Sequence, residues 1–371
     1  MTREQMDEQH QVWESWAQAD PLWAILSDPN QKGGKWDIDE FFANGVVDID
    51  ELLEATASRG LTPRRGRSLD FGCGIGRLTQ ALAAEFEHVD GVDISETMVS
   101  LAREHNRFGD RCTFHVNGEP DLSLFDDGVF DLVFSTIVLQ HNPPDLAQSY
   151  IEEFVRILAP GGIAVFDMPE DLKGVPFPEQ SHTAVIDITT PTPRMVAGQP
   201  TPVTVAVTNV SQVDWPAGTR LAIGNHWRTP DGGTVVVQDD ARHPLSDGLA
   251  QGATVRAELV VTPPGPGGHM LEVDLVEEGV CWFANMGSEP ARVSIKVARP
   301  GWRPFRDRGA AAGSGPARTD DDEPVPFAMS GLPRERVVAA VTAAGADVVD
   351  MEPTEKAGSH WDSMRYFVRR P

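Results

Sequence analysis

Ser68-Leu69-Asp70-Phe71-Gly72-Cys73-Gly74-Ile75-Gly76-Arg77 decides how the front half of this chain is read. A short apolar run ends in a glycine turn, a helix-forming stretch follows, and Asp93 closes the next apolar run. An α/β sheet builds a nucleotide-sized crevice at the carboxyl ends of such strands. The glycines let the backbone approach a ligand closely. A carboxylate after the second strand can accept both hydroxyls of a ribose.

Spacing restricts which nucleotide fits. A dinucleotide fingerprint, G-x-G-x-x-G, would place its third glycine at position 77, where this chain has Arg77. Asp70 stands two residues before the first glycine, where an acid suits a ligand bearing an ammonium group and repels a pyrophosphate. S-adenosylmethionine (SAM) carries such an ammonium, a ribose and no phosphate. Leu69-Asp70-Phe71-Gly72-Cys73-Gly74-Ile75-Gly76 is followed in order by Val92-Asp93-Ile94-Ser95, Phe130-Asp131-Leu132-Val133, Leu139-Gln140-His141 and Leu158-Ala159-Pro160-Gly161-Gly162. In these five motifs the chain resembles the class I SAM-dependent methyltransferases.

The resemblance implies a Rossmann-like α/β core with a seven-stranded sheet and SAM as cofactor. It assigns Asp70, Gly72 and Gly74 to the methionine end of SAM, Asp93 to the ribose and Ile94 to adenine, and places Ile137 and His141 at the mouth after the fourth strand. The third motif departs from the family. Many members carry Gly-Asp-Ala there, whereas this chain has Val116-Asn117-Gly118-Glu119-Pro120-Asp121-Leu122. The adenine contact then falls to Asn117, to Glu119 or to the backbone near Leu122.

At 371 residues the chain has room for two domains with substantial cores. A net charge of -25 and a pI near 4.7 argue against a nucleic-acid backbone or an anionic membrane as partner. Cys73, Cys112 and Cys281 are odd in number and far apart, so neither a disulfide framework nor zinc spacing is visible. The polar amino-terminal stretch lacks a signal-peptide core, and no apolar run is long enough to span a bilayer. The expected location is the cytoplasm.

Composition shifts divide the chain. Residues 1–60 read as a helical cap with Met6, Trp13, Trp16 and Ala17 at helical spacing, Asp37 capping a helix that holds Phe41 and Phe42, and a separate helix beyond Val46. Residues 61–175 alternate strand and helix, the first part of the methyltransferase core. Residues 183–298 carry short β-branched runs between Pro and Gly turns, the pattern of a β-sandwich. There Asn209-x-Ser211-x3-Trp215-Pro216 and Trp227 resemble an Ig-like domain of certain autophagy cargo receptors. Residues 299–326 read as a linker or lid, and 327–371 return to α/β character. The resemblance requires a final helix and hairpin that the first segment lacks, so the sandwich is expected as an insertion within the catalytic domain.

Methyl transfer to a hydroxyl needs aligned reactants, excluded water and a base. His141 is the first candidate base, with packing against the cofactor as its alternative role. His360 is the second and Asp167 the third, and Asp167 could equally orient the substrate together with Glu170. Trp13, Trp36 and Trp361 are expected to wall the acceptor pocket. Asp131, Asp167, Glu170 and Asp171 show no metal-ligand spacing, so no metal is expected. The expected reaction methylates oxygen or nitrogen of a small polar acceptor; analogy adds a sugar, a glycan or a glycosylated natural product. Trp215, Trp227 and Trp282 either present aromatic faces to a bulky acceptor or belong to an interaction platform, and the second reading, with a homo-oligomer formed through the sandwich, is favoured. The alternative function is a non-catalytic binding module on the same fold.

Overall fold

The computed structural model describes residues 3–28, 31–178, 181–188, 195–299, 329–358 and 360–371. The chain begins with α1 (Arg3–Ala19), α2 (Pro21–Ile25) and α3 (Ile38–Ser58). The Asp20 carboxylate accepts from the N–H groups of Trp23, Gly33 and Gly34, tying the start of α2 to the turn that follows it. Asp37 caps α3, accepting from Asp39 and Glu40 N–H at 3.0 Å each. Contrary to the two-helix reading, α3 runs unbroken past Gly45. The glycine is there for contact: a Cβ on it would lie 2.6 Å from the Arg77 carbonyl oxygen.

The core then alternates as β1 (Arg67–Phe71), α4 (Arg77–Glu85), β2 (His88–Asp93), α5 (Glu96–Glu104), β3 (Cys112–Val116), β4 (Phe130–Ser135), α6 (Pro144–Ile157) and β5 (Leu158–Leu172). β1 is buried from Ser68 to Phe71, as a parallel strand covered on both faces must be. β5 extends well beyond the apolar run at 162–168 because it has partners along its length. Leu158 pairs with Phe130 at one end, and Leu172 pairs with Trp361 at the other.

Residues Lys173–Glu323 form a second compact unit. It contains β6 (Ala184–Ile188), β7 (Thr201–Asn209), β8 (Leu221–Arg228), β9 (Val235–Val237), β10 (Arg242–Pro244), β11 (Thr254–Val261), β12 (Gly267–Glu277), β13 (Cys281–Trp282) and β14 (Ala291–Val297). Two antiparallel sheets share one apolar core, with Val203, Val205 and Leu259 from one and Ile223, Trp227, Leu271 and Val273 from the other. β10 and β13 are too short to leave a readable sequence pattern. Trp215 and Trp227 are not displayed: they are 2 % and 0 % exposed. Their indole N–H groups are satisfied inside, Trp215 by Ser181 O and Ser211 Oγ and Trp227 by Asp240 Oδ2. Trp282 is half-buried under Arg242 and beside His226. The expected linker or lid, apart from Arg299, lies outside the described residues up to its end at 326.

The first unit resumes with α7 (Arg334–Ala343), β15 (Asp347–Pro353) and β16 (Trp361–Arg369). β16 runs antiparallel to β5, completing a seven-stranded sheet in the order β15-β16-β5-β4-β1-β2-β3. The strand order reverses between β4 and β1, and a ligand crevice opens at such a point, beyond the carboxyl ends of the strands. Thus Lys173–Glu323 separates the fifth strand of this sheet from its last two. Among the described residues, no helix is long and apolar enough to cross a membrane.

Candidate active site

A cavity lies at this reversal, with Gly72, Gly74, Asp93, Asn117 and Ile137 on its wall. The turn after β1 shapes its floor. Gly72 has φ +78°, and a Cβ on it would stand 2.2 Å from the Val138 side chain; at Gly74 the contact would be 2.5 Å, with Ile25 of α2. Both positions therefore need glycine for backbone and for space.

Asp93 occupies the end of β2 with both oxygens placed by backbone. Gly74 N–H donates to Oδ2 at 2.8 Å and Ser95 N–H to Oδ1 at 2.9 Å. A carboxylate has about four acceptor positions, so lone pairs remain on each oxygen for two ligand hydroxyls. Ile94 lies beside it on the wall. Shielding from bulk water raises the Asp93 pKa above the usual carboxylate range against these hydrogen bonds. Asp70, 1 % exposed, lies behind the wall and is absent from the lining. Burial pushes its pKa up to about 6, although Thr79 Oγ1 donates to it at 2.6 Å and Arg77 is nearby; the negative charge of Asp93 adds to the rise. Two neighbouring acids whose ionisation is disfavoured leave this end of the cavity suited to a cationic group. Arg77 itself lines the cavity, and its charge is committed to Asp48 at 2.5 Å.

Of the three third-motif candidates, Asn117 reaches the cavity, its amide N–H₂ donating to Asp121 O. Glu119 points its side chain to solvent while its carbonyl accepts from Tyr150. Leu122 is fully buried, and its N–H donates to Glu153 at 2.8 Å, so that backbone donor is spent.

The opposite wall comes from the loop after β4 and from α1. Thr136, Ile137, Val138 and Asn142 line it with Gln9 and Trp13. Ile137 has φ +61°, a left-handed conformation that a β-branched residue adopts only when its surroundings impose it. His141 does not line the cavity. Its ring stands edge-on to Trp13, centroids 5.1 Å apart, and its carbonyl accepts from the Gln9 amide.

Asp167 is 2 % exposed and committed. It accepts from Thr136 Oγ1 at 2.6 Å and from two nitrogens of Arg365 at 2.8 and 3.0 Å, which makes it a support for the Thr136 wall. His360, Trp361, Glu170 and Trp36 are not among the lining residues. His360 is exposed on the turn before β16, Trp361 is buried in the first residue of that strand, and Glu170 pairs with Arg334 at 2.6 Å. Trp36 packs against Phe41 and donates to the Leu26 carbonyl.

Residues 69–162 match the family model described as a methyltransferase domain. Over those residues the core carries a methyltransferase domain. A ubiquinone biosynthesis O-methyltransferase of Aromatoleum aromaticum is 35 % identical over 101 residues, 27 % of this chain and 42 % of that protein. A demethylmenaquinone methyltransferase of Clavibacter sepedonicus is 34 % identical over 117 residues, 31 % of this chain and 46 % of that protein. The chain thus spans less than half the length of these curated relatives. Among solved structures, a SAM-dependent methyltransferase from Clostridium acetobutylicum aligns over 94 % of this chain and 98 % of its own, with 13 % identity and a TM-score of 0.41.

The methyltransferase domain also uses a residue that no sequence motif marks. Glu14 of α1 accepts from Ser95 Oγ at 2.6 Å, from Thr97 N–H at 3.2 Å and from the Thr97 hydroxyl, all at the start of α5. Burial opposes its ionisation, but these bonds outweigh it and hold its pKa down to about 2. The positive end of α5 acts in the same direction. Gln9, Thr136, Val138, Asn142 and Tyr150 also line the wall, and no sequence motif marks them.

Proposed function

We propose that this chain transfers a methyl group from SAM to an oxygen or nitrogen of a small polar acceptor, a sugar or glycosylated molecule being the class that suits it. The observation that carries the reading is Asp93: a carboxylate fixed by Gly74 and Ser95 N–H on the cavity wall, with acceptor capacity left for a diol. Asp70 and Asp93 together favour a positively charged ligand, which a nicotinamide dinucleotide phosphate bridge is not.

SAM supplies an activated methyl group when bound. Asp93 holds the nucleoside, Gly72 and Gly74 leave room for the ligand backbone, and Asn117 stands where a base edge would be read. Trp13 and Ile137 exclude water from the reacting end. The carbonyl oxygens of Gln9 and Asn142 can accept from acceptor hydroxyls, because their N–H₂ groups already donate within the protein. Asp167 is committed to Arg365 and neither His141 nor His360 lines the cavity; His141, whose ring packs against the lining residue Trp13, is the group we assign to take the proton of a hydroxyl acceptor.

Calorimetric titration with S-adenosylhomocysteine, which binds without turning over, tests this directly. Asp93→Ala is expected to weaken binding by about 1–3 kcal/mol, the cost of removing a charged hydrogen-bond partner. Absence of binding to the folded wild-type protein overturns the proposal and leaves the non-catalytic reading.

A further inference from the structure

Away from the cavity, a second group of reactive side chains lies in the Lys173–Glu323 unit. Glu277 and Cys281 sit directly opposite each other on the β12–β13 hairpin, which Val280 N–H closes onto Glu277 O. His182, just ahead of β6, places Nε2 2.8 Å from Glu277 Oε2 across 95 residues of sequence. One ligand atom from each of His182, Glu277 and Cys281 lies within 4.8 Å of the other two.

This grouping is unlike a solvated charge cluster. His182 is 9 % exposed and Glu277 5 %. Phe177 and Phe283 each approach the His182 ring to 5.0 Å, covering it with apolar surface. The His182 nitrogen that faces Glu277 is Nε2, and Nδ1 is buried on the other side of the ring. The second oxygen of Glu277 is held by Arg220 at 3.2 Å, the outer support that metal-binding carboxylates commonly have. By contrast, in the other such grouping, His10, Glu14 and Glu96, Glu14 is already spent on Ser95 and Thr97.

We propose that Cys281, His182 and Glu277 form a zinc site. Sulfur, nitrogen and oxygen donors in one place suit a borderline-soft ion and not calcium or magnesium, which take oxygen. Three protein ligands leave a fourth position for water. The ion would staple the segment leading into β6 to the β12–β13 hairpin, joining two remote stretches of the sandwich. The sequence spacing hides this, since the ligands come together only through sheet pairing.

The test titrates Co²⁺ into the full chain after chelator treatment and dialysis, and reads the near-ultraviolet thiolate-to-cobalt band. One equivalent is expected to develop the band, and Zn²⁺ to abolish it by displacement. Cys281→Ser is expected to remove the band and lower affinity by more than about 100-fold, beyond what loss of an outer partner costs; His182→Gln should lower affinity and keep the band. Cys73 and Cys112 are buried in the other unit and serve as internal controls. A variant-free measurement is the rate at which iodoacetamide alkylates Cys281, expected to fall at least tenfold with equimolar Zn²⁺. No band at equimolar Co²⁺, a band that survives Cys281→Ser, or an unchanged alkylation rate overturns the proposal.

Discussion

The two units differ in where their buried polar groups gather. In the seven-stranded sheet, two acids stand side by side near the carboxyl ends of β1 and β2. Asp70 and Asp93 end adjacent strands, and both are held above their usual pKa by burial. In the sandwich, buried polar groups are turned inward and matched. Asn209, fully buried, donates to Val213 O and Leu249 O at 2.9 Å and accepts from Ser211. Trp227 ends on Asp240, which also accepts from Thr262 N–H at 2.7 Å. Acids with acceptor capacity left over describe a place for a ligand; a closed hydrogen-bond circuit describes a packed core. Within the sandwich, His182, Glu277 and Cys281 bring three metal-ligating side chains together in a largely buried place.

The contrast can be broken at either end. The largest effect is expected from His141→Ala, which should lower turnover by about 10²–10⁴-fold if the imidazole is the base, with S-adenosylhomocysteine affinity hardly changed. Equal losses in turnover and affinity would reassign His141 to packing against Trp13. Next comes Trp227→Ala, which removes a fully buried indole and leaves Asp240 short of a donor. It should destabilise the sandwich by about 3–5 kcal/mol in denaturant unfolding, with cofactor affinity retained; concurrent loss of the cavity would mean the two units fold as one. The smallest effect concerns Glu14. Its folded pKa is depressed from 4.5 to about 2, so its stabilising contribution is present above pH 4.5 and is lost as pH falls towards 2. Hydrogen exchange in α1 should therefore accelerate across that window in the wild type, and Glu14→Gln should flatten the dependence.

Much of the α/β unit was legible because backbone chemistry leaves its mark in residue type. Gly72 and Gly74 are glycines where a Cβ has no room, and Asp93 is an acid where a strand ends beside them. The final hairpin was legible for a different reason: a sheet interrupted after β5 still needs its last two strands. Contacts made by ordinary residues over long separations were not legible. Nothing in an isoleucine advertises the left-handed backbone of Ile137, and Glu14 reads as one more acid on a polar helix face. Asn117, Glu119 and Leu122 could be separated only by folding them, since their side chains and N–H groups find different partners. The helix break expected near Gly45 failed because glycine there serves packing against Arg77, not chain reversal.

The anchorage of α1 has a further consequence. This one helix reaches the loop after β2 through Glu14 and the loop after β4 through Gln9 and Trp13. Under the proposed function, the same helix would touch both the nucleoside and the acceptor, and seating one would bear on the other. By reciprocity, any free energy the first ligand gains from seating the helix is shared with the second. If both ligands bind as proposed, breaking the Glu14 anchor should change the affinity of the second ligand as well as the first.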